Sequence, residues 1–80
     1  MDLFEDVKTM CGCAYISDIA AGRQYNKQAR VCVSFMRLEE YDLHVLTDMY
    51  KYLTGEHILF GTAENAVRAL CELGGKACGS

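Results

Sequence analysis

Arg23-Gln24-Tyr25-Asn26-Lys27-Gln28-Ala29-Arg30-Val31-Cys32-Val33-Ser34-Phe35-Met36-Arg37 is the stretch on which the fold turns. At helical spacing, Tyr25, Ala29, Cys32, Val33 and Met36 make one apolar stripe, and Arg23, Lys27, Arg30, Ser34 and Arg37 take the opposite face. At strand spacing, Ala29, Val31, Val33 and Phe35 alternate with Arg30, Cys32 and Ser34. The β-branched valines and the aromatic Phe35 suit that second pattern. The helix is the expectation, because the polar start from Gln24 to Gln28 is helix-friendly and the stripe runs the whole length.

Upstream, Leu3, Phe4, Val7, Met10 and Cys11 recur at helical spacing, with Asp2 placed to cap the start and Gly12 to end the helix. Residues 13–22 fit a short strand, a single helical turn or an ordered loop, and Gly22 marks a break. Downstream, residues 42–54 form the clearest helix. Asp42 suits the N-cap, Leu43, Leu46, Met49, Tyr50 and Leu53 form one stripe, and Gly55 suits the position after the end. Val45, Met49 and Tyr52 add a second stripe, which predicts a helix packed on two sides. Residues 57–60 read as a short strand or an extended connector. A last helix opens at Thr62, buries Ala63, Ala66, Val67, Leu70, Cys71 and Leu73, and stops at Gly74-Gly75. Residues 76–80 are expected to fray. The fold class is therefore mostly α: a single small domain over 1–80, a bundle of about four short helices, with one or two short strands near 13–19, 31–36 or 57–60 as the variant.

A chain of 80 residues buries only about 60–65% of the surface its unfolded form exposes. With half of its residues apolar, some apolar area is expected at a partner or self-association surface. The acidic, amphipathic start lacks a basic region and a long apolar run, so no signal peptide or membrane span is expected. Five cysteines, an odd number, without a signal peptide point to reduced thiols in the cytoplasm.

No catalytic motif stands out, and the expectation is a protein that is not an enzyme. The single Cys11-x-Cys13 lacks the paired knuckles of a zinc site, and only His44 and His57 could add imidazole. Cys32 and Cys71 fall on apolar stripes, where cysteine behaves as a small hydrophobe. No metal or cofactor is expected, although a Cys-based metal or redox site at Cys11 and Cys13 is kept as an alternative. The glycines form no phosphate cradle.

Charge is the sharpest feature. The net charge is −3, yet residues 23–37 carry four cations and no acid, between two acidic stretches. Three readings follow: cations solvated or paired with Glu39, Glu40 and Asp48, a docking face for an acidic protein, or a nucleic-acid face with Gln24, Asn26 and Gln28 beside the phosphate contacts. The net negative charge counts against nucleic acid. Tyrosines gather near the third helix, and Tyr is enriched at interfaces. The expectation is a small protein-binding module that binds or inhibits a larger intracellular partner through Arg23, Lys27, Arg30, Arg37, Tyr41, Val45 and Tyr52. Its size and composition suit regulators and inhibitors, including those of phages and mobile elements.

Overall fold

The computed structural model describes residues 3–75. Four helices follow one another: α1 (Leu3–Cys11), α2 (Asn26–Ser34), α3 (Leu43–Thr54) and α4 (Ala63–Leu73). Single 3₁₀ turns at Ile16–Ile19 and Leu38–Glu40 join them. α2 lies against α1 and α4, and α4 lies against α3.

Among the described residues there is no strand. Of the three stretches considered for strands, 13–19 holds a 3₁₀ turn, 31–36 is largely the end of α2, and 57–60 is an extended connector without a ladder partner. Val31 and Val33, which alternation would put on one face, sit on different sides of a helix: Val33 is fully buried and Val31 is 40% exposed. The expected Asp2 cap and the fraying of 76–80 lie outside the described residues.

The helix ends are set locally. α1 stops at Gly12, whose φ of +73° is left-handed and whose amide donates to the Lys8 carbonyl. α3 starts after Asp42, which holds the extended N-cap conformation without a side-chain cap bond. It stops at Gly55, φ +78°, whose amide donates to the Lys51 carbonyl at 2.7 Å. α4 is capped by Thr62, whose hydroxyl accepts from the Asn65 amide at 3.2 Å.

The core joins Leu3 and Val7 of α1, Ile19 of the first 3₁₀ turn, Ala29 and Val33 of α2, Leu46, Met49 and Leu53 of α3, and Ala66 and Leu70 of α4. Leu38, from the turn after α2, is fully buried as well. Each such Leu or Met contributes about 1.5–3 kcal/mol relative to its exposed state. Of the stripe expected for α4, Ala63 is exposed, so that helix is buried from Ala66 onward.

α2 departs most from expectation. It is shorter than the segment, so Arg23 lies in the turn before it and Arg37 in the turn after it. It is also rotated. Asn26, Ala29, Val33 and Ser34 are its buried residues, with Asn26 9% and Ser34 4% exposed. The cause is what α2 must cover. Asn26 Nδ2 donates to the carbonyls of Ile19 at 2.9 Å and Leu53 at 2.8 Å, and Arg30 Nη2 donates to the same Leu53 carbonyl at 3.1 Å. That carbonyl is among the last of α3, which have no partner within their own helix. A guanidinium there also suits the negative end of the helix dipole. On the same side, α4 ends against α2 at Gly74. A Cβ on Gly74 would meet Ser34 Cβ at 2.6 Å and the Arg30 carbonyl at 2.7 Å. Only a hydrogen at Gly74 and a small side chain at Ser34 allow that approach.

Candidate binding groove beside the second helix

With Asn26, Arg30 and Ser34 turned inward, the opposite side of α2 carries Lys27, Gln28 and Val31 toward solvent, and Phe35 follows at 71% exposure. The end of α1 runs alongside and adds Met10, 55% exposed. Between them lies an open groove of about 730 Å³, lined by Met10, Cys11, Gln24, Tyr25, Lys27, Gln28, Val31 and Cys32. The lining is apolar along its length, has one cation and has no acid.

The seven residues expected to bind a partner do not share one hollow. Lys27 lines this groove. Tyr41 and Val45 line a smaller depression of about 210 Å³ with Glu40 and Asp42, and Tyr52 lines a third hollow with Phe4 and Lys51. Three of the seven are engaged inside the fold. Arg30 holds the Leu53 carbonyl, and its Nε is buried without a partner. The Tyr41 hydroxyl donates to the Asp6 carboxylate and so ties the turn before α3 to α1. Tyr52 packs edge-on against Phe4 with ring centroids 5.3 Å apart. Tyr50 does the same with Phe60, also at 5.3 Å. The tyrosines of α3 thus join elements to one another.

Arg23, Lys27 and Arg37 are exposed. Among the described residues the ion pairs are Lys8–Glu5, His44–Asp48 and Arg68–Glu64, so Asp48 faces His44 and none of the three cations meets a carboxylate. The reading in which these cations pair with Glu39, Glu40 and Asp48 finds no pair there.

The thiols are arranged differently from their spacing. Cys13 is buried, and its Sγ donates to the carbonyls of Tyr15 at 3.4 Å and Lys8 at 3.7 Å. Cys11 faces Cys32 across the α1–α2 seam, with the sulfurs 3.5 Å apart. Burial, the hydrogen bond with Cys32, and the charges of Cys32 and Cys13 push the Cys11 thiol up to about 12. Among the described residues no group of three or more His, Cys, Asp or Glu side chains gathers as metal ligands would. The Cys11–Cys32 pair was not legible from sequence, because only the packing of two helices brings positions 21 residues apart together.

Comparison with protein-family models, curated proteins and solved structures returns no match. Among the described residues no helix is long and apolar enough to cross a membrane.

Proposed function

We propose that the chain is a non-enzymatic protein-binding module that docks an amphipathic, acidic segment of a larger cytoplasmic protein into the groove between α1 and α2. The observation that carries this reading is an exposed apolar groove beside cations without carboxylate partners. Met10, Tyr25 and Val31 offer apolar contact, and Lys27 lies on the wall with Arg23 in the adjoining turn. An amphipathic helix laid in such a groove would bury its apolar anchors against these residues and set its acids toward Lys27 and Arg23. Methionine on the wall adapts to the shape of what it meets. Binding of this kind suits a small regulator or inhibitor. The interruption of the basic stretch by Val31 and Phe35, together with the net charge of −3, favours protein over nucleic acid.

The test is capture of partners by the tagged protein from its native lysate, with nuclease, comparing wild type with Val31→Asp and Lys27→Glu. The reading expects a stoichiometric protein that survives nuclease and is lost from both variants. A partner held equally by wild type and variants would place binding elsewhere on the surface. Recovery of material that nuclease removes, with affinity falling steeply as salt rises, would point to nucleic acid instead.

A further inference from the structure

Cys11 ends α1, and Cys32 lies in the second half of α2. Their sulfurs stand 3.5 Å apart, in contact and about 1.5 Å beyond the length of a disulfide bond. Cys13 does not compete, since it is buried and its thiol is directed at two backbone carbonyls. The chain just past Cys11 has room to move. Gly12 holds φ +73°, and even an added Cβ there would meet nothing within 4 Å. Both thiols line the open groove, so a small reagent reaches them from solvent.

We propose that Cys11 and Cys32 are a reversible dithiol–disulfide site, which exchanges with low-molecular-weight disulfides of the glutathione type and staples α1 to α2 when oxidised. The step balances as two exchanges. The Cys32 thiolate attacks one sulfur of the small disulfide, forms a mixed disulfide and releases one small thiol. The Cys11 thiolate then attacks the Cys32 sulfur, closes the Cys11–Cys32 bond and expels the second small thiol. The protein loses two electrons and two protons, and the small disulfide gains them. Cys11 is the poorer first nucleophile, because burial and the neighbouring Cys32 hold it as a thiol. The first exchange removes the charge on Cys32 and its hydrogen-bonding thiol. Two of the causes that raise Cys11 are then gone, and the second attack is eased.

This site stands independently of any docking partner, and its test needs none. The full chain is equilibrated in glutathione buffers of graded redox ratio, quenched with acid, alkylated, and cut with trypsin. Trypsin leaves Cys11 and Cys13 in residues 9–23 and Cys32 in residues 31–37. The expected result is a cross-link between these two peptides as the buffer becomes oxidising, reversed by reducing buffer. The cross-link persists in Cys13→Ser and is absent from Cys11→Ser. Cross-links from either cysteine to Cys71 or Cys78, a cross-link retained in Cys11→Ser, or glutathione adducts that never resolve would overturn the proposal. The wild-type and Cys13→Ser proteins carry the positive result, so a folding defect in Cys11→Ser cannot produce it.

Discussion

The two sides of α2 each depart in part from the usual relation between polarity and burial. The inner side carries Asn26, Arg30 and Ser34 together with Ala29 and Val33, whereas the outer side carries Val31 beside Lys27 and Gln28. Buried polar groups and exposed apolar ones are the informative departures in a small domain. Here each explains the other. The polar inner side is spent on a task that apolar side chains cannot do: it satisfies the carbonyls of Ile19, at the end of the first 3₁₀ turn, and of Leu53, near the end of α3. Once that side faces in, helical periodicity turns Val31 outward and opens the groove against α1.

The largest expected effect is at the inner side. Asn26→Leu keeps the number of side-chain heavy atoms and raises hydropathy, yet it strips both bonds to buried carbonyls, and it is expected to cost about 3 kcal/mol in urea unfolding. An unchanged midpoint would break the comparison. Gly74→Ala comes next. Its methyl would press into Ser34 and the Arg30 carbonyl, and because one of these is backbone the clash is relieved only by moving α4 from α2, at about 1–3 kcal/mol. Pairing it with Ser34→Gly sharpens the test, since partial rescue by the double variant locates the strain at that contact. Arg30→Met keeps the buried stem, loses the bond to Leu53 and removes the unpartnered Nε, so its net cost is expected near 1 kcal/mol. The smallest effect belongs to the outer side. Val31→Asp is expected to change stability by less than about 0.5 kcal/mol while abolishing capture of the partner. A large loss of stability in that variant would mean that Val31 serves the core.

The helices themselves were legible. Apolar spacing located all four, and Gly12, Gly55 and Thr62 set three of their ends as local chemistry predicts. The polar flank of α2's buried side was not. The apolar stripe held at Ala29 and Val33, but a hydropathy stripe does not show that Asn26, Arg30 and Ser34 are drawn in beside it, where the helix must satisfy another helix's last carbonyl. The signal available in sequence was Asn26 and Arg30 at i, i+4, a polar pair that reads equally well as a solvated face. Leu38 was missed for a related reason: a lone apolar residue in a three-residue turn has no periodicity to declare its burial. The candidate site was legible only in part. Lys27 was identified and lines the groove, but its apolar wall joins Met10 of α1 to Val31 of α2, two positions that only the packing of the helices brings together. The contacts of Tyr41 and Tyr52 within the fold were not legible, because their partners, Asp6 and Phe4, lie on α1, beyond the reach of local pattern.

The orientation of α2 is the central claim, and adjacent residues of like chemistry report it directly. A soluble paramagnetic agent added to the labelled protein bleaches NMR signals in proportion to their exposure. The structure predicts strong bleaching of the Val31 methyls and the Gln28 side-chain amide, with the Val33 methyls and the Asn26 side-chain amide spared. Bleaching of Asn26 with protection of Val31 would contradict both the inward polar side and the groove built on it.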